Sequence, residues 1–558
     1  MPCAPPSPSS RWTSEPRGGL VPKRYHPGAR ARRAGGQGKT LRVVAQGYGD
    51  AGASYQKRAL KGFNAISGSP GRDIGDHAPT LRQRSRMLFM SSPVARSGVL
   101  TQRTNVVGPG LVPNPRPDAD YLGMTEEQAD EWARAATREF ALWADDKRCC
   151  DATRVNNFYG MQQLVLMSAV LSGDVFVLRT SAKETPFAPY RLRLRVMEAD
   201  RVATPCSGTP ALGTLAWSES RLPNGNIVHD GVEVDKSGAI VAYHVRNAYP
   251  QDGAIAEASE YVRVEAWGKR TGLPNVLHVM DAERPEQYRG VPYLAPVVEQ
   301  LLQLRRYTES ELVAAVVESF FTAFVKTSAD PSANPLGQVA PGRADEGGDD
   351  EDAPEYEMGP GQVNVMEPGE DIVFADPKRP SSGFDGFVRS VSEQIGAALE
   401  IPADLLLKSF NSSYSAARAA LLEAWKAFRM RRSWLVDDFC APVWELWMCE
   451  AVAAGRLTAP AFFTDPLARR AYLGCEWIGP PPGQLDPVKE ITSEIKAIDA
   501  GLTTHQDAAI RLNGSDFRRN VERLRRENAA LADARGGMGM GIANGANDEG
   551  KEEDAEIS

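Results

Sequence analysis

Apolar residues recur at three- and four-residue intervals over much of residues 81–172, alternate with polar ones from Asp174 to about Asp281, and return to helical spacing from Pro292. A period near 3.6 marks amphipathic helix and a period of two marks half-buried strand. LRQRSRMLFMSSP reads as a helix stopped by Pro93, and VVGPGLVPNPRP, Val106 to Pro117, reads as an irregular boundary because its prolines lack the donors of a ladder. Thr125-Glu-Glu-Gln128 has the spacing of a capping box, and Trp132, Ala136, Phe140 and Trp143 follow on one helical face. NNFYGMQQLVLMSAVL forms the next helix and stops at Gly173.

RLRLRVME, VEVDKSGAIVAYHV with its turn at Lys236 to Gly238, YVRVEAW and VLHVMD predict a mainly antiparallel β region. The segment from Pro292 to Thr327 predicts a helix of about 35 residues, about 50 Å long at 1.5 Å per residue. Its charged positions, Glu299, Arg305, Arg306, Glu309, Glu311 and Glu318, leave apolar positions on more than one side, as in a helix held between two neighbours. Residues 328–382 interrupt this strut with eight acids between Asp345 and Glu357 and the strand-like NVMEPGEDIVFAD. Helical spacing resumes at Phe384, Phe387, Val388, Val391, Ile395 and Leu399 and ends at Ile401-Pro402, so the two helices can lie antiparallel with the excursion at their tip.

KSFNSSYSAARAALLEAW, Lys408 to Trp425, then predicts a polar loop closed by Ser412 or Ser413 as N-cap. Ala417, Leu421, Trp425, Phe428 and Leu435 continue as a long helix, kinked or ended near Pro442. Beyond WIGPPPGQLDP come two or three amphipathic helices, including DFRRNVERLRRENAALADA, and a Gly-rich acidic tail.

At 558 residues the chain is long enough for two or more domains. Seven cysteines with no Cys-x-x-Cys pair argue against a disulfide framework or a zinc site and fit a reducing cytoplasm. Residues 1–40 lack the order of a signal peptide, and LVAAVVESFFTAFV is too short for a membrane span and carries Glu318. The net charge of -8 conceals an asymmetry: residues 1–117 hold 19 Lys/Arg and 4 Asp/Glu, leaving 45 bases and 68 acids for the rest. Such an acidic body repels DNA instead of gripping it, while the basic arm, residues 1–80, is either a largely disordered, solvated tail or a contact to nucleic acid or an acidic partner.

Enzyme signatures are missing from the pattern. GGQGKT at Gly35 to Thr40 resembles a phosphate-cradling loop, but Arg33 stands where its first glycine belongs and no apolar strand precedes it. His244 and His278 fall in strands, where a satisfied histidine is the ordinary finding. Lys408 beside Ser412, Ser413 and Ser415 would serve a Ser-Lys hydrolase only if the lysine were buried; on a small polar loop it is expected to stay solvated and charged. No catalytic residue, metal site or cofactor is expected.

Four runs, LRQRSRMLFMSSPVARSGVLTQRTNVVGPGL, MQQLVLMSAVLSGDVFVL, HVMDAERPEQYRGVPYLAPVVEQL and SYSAARAALLEAWKAFRMRRSWL, resemble the portal proteins of tailed bacteriophages, specifically the lambda-like family. The resemblance covers about residues 80–450. It implies an α+β, portal-type ring subunit and a homo-oligomer, usually a dodecamer, at one capsid vertex of the virion, assembled in the host cytoplasm. By that resemblance residues 81–290 are a β-rich wing, 291–327 and 383–400 the long helical stem, and 328–382 a small α/β clip. Residues 401–412 are then the tunnel loop, 413–476 a long helix returning to the wing, 477–535 the helical C-terminal crown, and 536–558 a disordered acidic tail. It implies double-stranded DNA passing non-specifically beside Lys408, Asn411, Ser412, Ser413, Tyr414 and Arg418. It also implies docking of the terminase large subunit and head-completion or adaptor proteins at the clip, where Asp349, Asp350, Glu351 and Asp352 lie, and contact with the major capsid or scaffold protein, with no membrane. The alternatives are a phage-head hydrolase using the Ser-Lys pair, or another minor capsid or adaptor protein.

Overall fold

The computed structural model describes residues 53–54, 57–63, 65–205, 219–249, 260–319, 323–327, 370–374, 383–410, 413–483 and 486–538. The chain divides into two units, Met1–Ser67 and Gly68–Ser558. The described part of the first contains one 3-10 turn, Arg58–Leu60. GGQGKT, Asn411, Ser412 and the acids Asp349, Asp350, Glu351 and Asp352 lie outside the described residues.

The second unit begins with α1 (Ala78–Ser91) and α2 (Pro93–Val106). Pro93 does not merely stop a helix. It occupies the first turn of the next one, where its missing N–H costs nothing, and Ser92 caps that helix by accepting from the Ala95 amide. The proline-rich passage expected to be irregular contains β1 (Val112–Pro115), which pairs antiparallel with a strand near the far end of the chain. A two-stranded ribbon leaves outward-facing positions with no ladder bond to make, so Pro113 and Pro115 are tolerated and the passage joins distant segments where a domain boundary was expected.

After α3 (Ala119–Leu122) comes α4 (Glu126–Ala144), whose capping box is formed in both directions between Thr125 and Gln128. Its predicted stripe of Trp132, Ala136, Phe140 and Trp143 is buried. The short α5 (Lys147–Cys150) and α6 (Phe158–Ser172) follow. Gly173, at φ +90°, ends α6 as expected and lets the chain turn directly into a strand.

Two antiparallel sheets make the β region. β2 (Asp174–Ser181) is central in a three-stranded sheet between β3 (Leu192–Glu198) and a later strand, β9 (Val276–Met280). The second sheet is a meander of β4 (Glu219–Arg221), β5 (Ile227–His229), β6 (Val232–Val234), β7 (Ile240–Arg246) and β8 (Tyr261–Glu265). Successive strand residues point to opposite faces. Val175 and Val177 of β2 therefore enter the main helical core, while Phe176 enters a second core and meets Tyr243 of the meander at 5.5 Å between ring centres.

The strut is shorter than its hydrophobic pattern suggests. A 3-10 turn, Ala295–Val297, leads into α7 (Val298–Ser319), and Ala323–Thr327 forms β10, paired antiparallel with β11 (Glu370–Phe374). The TAFVKT run is rich in β-branched and aromatic residues, and here strand pairing overrides the helical period. α8 (Phe384–Ala398) returns alongside α7. Tyr293, ahead of α7, bonds through its hydroxyl to the Leu399 carbonyl beyond the end of α8, while Tyr307, further along α7, packs on Phe384 and Phe387 at its start. Opposite ends therefore meet, and the two helices run antiparallel.

The expected ten-residue loop is partly helical: α9 (Ala403–Leu407) lies within it. α10 (Tyr414–Leu435), a π-helical segment Val436–Cys440 and α11 (Ala441–Ala453) then form one helical run. Pro442 cannot donate to a residue four back, and the helix widens by one residue just before it instead of ending. α12 (Pro466–Leu473) precedes β12 (Cys475–Ile478), the partner of β1. Three helices close the described chain: α13 (Pro487–Asp499), α14 (His505–Asn513) and α15 (Phe517–Met538). The main core is aromatic, with Phe140 within 6.4 Å of Trp143, Phe158, Trp444, Trp447 and Trp477 between ring centres.

Candidate functional site

The polar turn between α8 and α10 is built from its packing upward. Gly396 sits where a Cβ would lie 2.5 Å from the Ile401 carbonyl oxygen, so the chain folds back tightly at the end of α8. Leu399 and Leu406 are buried, and both reach Gly98 of α2, where an added Cβ would stand 3.4 and 3.3 Å from their methyl carbons. The Ser97 hydroxyl donates to the Leu406 carbonyl at 2.6 Å. Lys408 then takes a left-handed conformation, φ +56°, as the C-cap of α9. Its Nζ donates to Thr101 Oγ1 at 2.9 Å. Lys408 is exposed, as the sequence led one to expect, and its ammonium is at the same time bonded to a buried threonine of α2.

Past the undescribed pair 411–412, Ser413 holds the N-cap position of α10 with extended backbone, but its hydroxyl makes no cap bond and faces Ser415 Oγ at 3.4 Å. Tyr414 is exposed. Arg418, one turn on, donates to the Tyr414 hydroxyl at 3.3 Å and pairs with Glu490 of α13 at 3.7 Å. The structure brings Ser413, Tyr414 and Arg418 together at the head of α10 and sets Lys408 apart, at the end of α9 with its side chain reaching α2. Ser413 faces Ser415 and the Lys408 ammonium turns to Thr101, so among the described residues no Ser-Lys pair is assembled.

Below the turn, α10 is fixed by two arginines. Arg431 pairs with Glu400 at 2.7 Å and lies over the Tyr293 ring. Arg432 donates to the carbonyls of Asn105, Val106 and Pro480, so it serves the open C-terminal end of α2, and burial brings its pKa down to about 10.

A second polar constellation was not singled out in the sequence. Arg289 donates to Asp174 at 2.6 Å, pairs with Asp230 at 2.7 Å and reaches the Ala199 and Val202 carbonyls; Arg82 of α1 pairs with Asp230 at 3.0 Å. Burial opposes ionisation of Asp174, but the Arg289 and Arg82 guanidiniums hold its carboxyl well below the usual range. Beside it, Gly290 and Gly173 touch backbone to backbone, a Cβ on Gly290 falling 1.9 Å from the Gly173 carbonyl oxygen. The charges clamp α1 to both sheets. Arg-Gly-Val-Pro at 289–292 was the available sequence signal, a charged residue and a glycine opening an apolar helix.

The other candidates are structural. His244 meets Glu233 at 3.1 Å and His278 meets Asp174 at 3.4 Å, and burial lowers both imidazole pKa values. Cys149 and Cys150 are buried free thiols, and burial pushes Cys150 up to about 12, away from the thiolate that redox chemistry needs. Among the described residues no group of three or more His, Cys, Asp or Glu is placed to hold a metal, and no helix is long and apolar enough to cross a membrane.

Comparison with known proteins adds the following. Residues 56–432 match the model of a family described as phage portal protein, lambda family. Portal protein B of Escherichia phage lambda is 25% identical over 494 residues, 84% of this chain and 87% of the relative. The portal protein of Escherichia phage N15 is 25% identical over 506 residues, 87% and 90% of the two chains. A probable portal protein of Halomonas phage phiHAP-1 is 26% identical over 414 residues, 73% of each. Among solved structures, a chain from the neck of the native GTA particle computed with C12 symmetry aligns at TM-score 0.39 and 12% identity, covering 79% of this chain and 94% of that one.

Proposed function

This chain belongs to the lambda family of phage portal proteins, and from that premise we propose that copies of it, twelve by expectation, close into a ring at a capsid vertex through which double-stranded DNA is packaged and later ejected. Portal proteins are the structural head-tail connectors of the particle, and the curated relatives are named as such, not as hydrolases. The family match over residues 56–432 carries the reading.

Physical support comes from the antiparallel pair α7 and α8. Leu312 and Val313 of α7 are 67% and 57% exposed, and Phe387 of α8 is 48% exposed. Large apolar side chains exposed on these helices are unfavourable in water and suit a neighbouring copy. The β-rich region up to residue 290 is the wing in this reading, α7 and α8 the stem, residues 328–382 the clip, and α13 to α15 the crown. The polar turn, rooted at Lys408 and running through Asn411, Ser412, Ser413 and Tyr414 to Arg418, is the part set beside the duplex. A duplex carries one negative charge per about 1.7 Å, so a conduit works best with few phosphate contacts. The excess of acids beyond residue 117 suits that need. Asp349, Asp350, Glu351 and Asp352 would offer an acidic face to the terminase large subunit and to head-completion or adaptor proteins, and the wing would meet the major capsid or scaffold protein.

Purified protein imaged in negative stain, with mass by light scattering, tests this. Rings with a central hole are expected. A chain that stays monomeric under assembly conditions overturns the proposal.

A further inference from the structure

The turn that the proposed function places beside the duplex has a root fastened at three points to one face of α2. Thr101 stands one turn on from both Ser97 (i, i+4) and Gly98 (i, i+3), so the three line one stripe of that helix. Gly98 supplies a notch that the methyls of Leu399 and Leu406 fill at 3.4 and 3.3 Å from where a Cβ would be. Ser97 holds the carbonyl of Leu406 at 2.6 Å, and Thr101 holds the ammonium of Lys408 at 2.9 Å.

Lys408 is also one of the non-glycine residues with positive φ, a conformation that sterics disfavour for an L side chain. Glycine or asparagine is the usual occupant of a left-handed C-cap. What lysine adds there is length: a four-carbon stem that crosses to the neighbouring helix. Thr101 is only 1% exposed, so the hydroxyl that receives the ammonium is a fixed part of α2 and not a passing surface group.

We propose that Lys408 is a positioning residue, which latches the root of the polar turn onto Thr101 and so sets where that turn starts, and that it is not a phosphate contact. The Ser409 amide, next along, still donates to the Asp404 carbonyl at 3.0 Å, so the fastened root reaches at least that far. Lysine serves because one point charge reaches one hydroxyl without a fixed fork. This inference rests on the portal reading and deepens it by assigning the root of the turn a positioning role.

The test uses the full-length protein and three variants, Thr101→Val, Lys408→Gly and the double variant. Lys408→Gly relieves the left-handed backbone while deleting the ammonium, so backbone preference and latch are pulled apart. Hydrogen exchange of the amides of residues 405–410 is expected to rise about tenfold in each single variant and no further in the double one, because both remove the same contact. DNA binding measured against salt is expected to keep its slope in Lys408→Gly. Exchange that stays at the parent level in Thr101→Val overturns the latch. So does a salt dependence that flattens when Lys408 is removed, since loss of a phosphate contact lowers the slope by roughly one per contact. The exchange measurement needs no ring, so a chain that fails to form rings removes the portal reading and leaves the latch to stand or fall separately.

Discussion

At the scale of single residues, close backbone approach and burial decide most of what the sequence hides. Gly290→Ala is expected to cost about 3 kcal/mol, because the new methyl has only the Gly173 carbonyl to displace and both flanking segments are packed; a thermal melt that matches the parent would refute the close contact. Asp438, in the π-helical segment, has its pKa raised to about 6 by burial, with the nearby Asp437 and Asp281 adding to the effect. The folded state therefore holds this proton more tightly than the unfolded chain. Stability from this group is full at low pH, falls as pH climbs from about 4 through about 6, and levels off above. Two units correspond to about 3 kcal/mol at most, and partial solvent access reduces that to roughly 1–2 kcal/mol. Asp438→Asn should gain that much on the parent between pH 4 and pH 7 in denaturant unfolding; an unchanged difference across the range would contradict it. Neither residue was legible beforehand, since both effects depend on what the fold brings near, and a lone glycine or aspartate carries no mark of it. Lys408 is the same case: it is exposed as expected, but its bond to Thr101 was not legible, because the sequence does not show that α2, 307 positions earlier, lies beneath it.

At the scale of elements, local signals were readable wherever the determinants lie within a few residues of each other. The capping box at Thr125, the stripe from Trp132 to Trp143, the stop at Gly173 and the turn before Gly238 all appear where their spacing puts them. Thr125→Ala removes one half of the box and should lower stability by about 1 kcal/mol, checked as a shift of the urea midpoint with an unaltered slope. The misread elements have non-local causes. α7 stops at Ser319 because the following residues find a strand partner at Glu370–Phe374, and α9 forms inside an apparent loop because Leu399 and Leu406 have a notch on Gly98 to fill. The π-helical segment before Pro442 keeps α10 and α11 in one run where either a kink or an end was expected.

At the scale of the whole molecule, the succession of helical and strand-rich segments was legible and the uncovered apolar positions were only half so. The hydrophobic pattern showed that the strut has apolar positions on more than one side; the structure shows which ones remain uncovered, Leu312 and Val313 among them. Leu312→Asp should leave the circular dichroism of the chain intact and abolish ring assembly in light scattering, whereas rings that persist would place the subunit contact elsewhere. The charge asymmetry was fully visible in composition, yet the described side chains show that individual bases such as Arg82, Arg289 and Arg432 are spent on internal carboxylates and carbonyls.

The pairing of Val112–Pro115 with Cys475–Ile478 has a consequence for how the protein is made. Synthesis runs from the N-terminus, so the earlier strand leaves the ribosome long before its mate exists. Any product released early, before Cys475, exposes an unzipped edge and lacks Trp477 from the aromatic interior. Completion of translation is thereby coupled to completion of the fold.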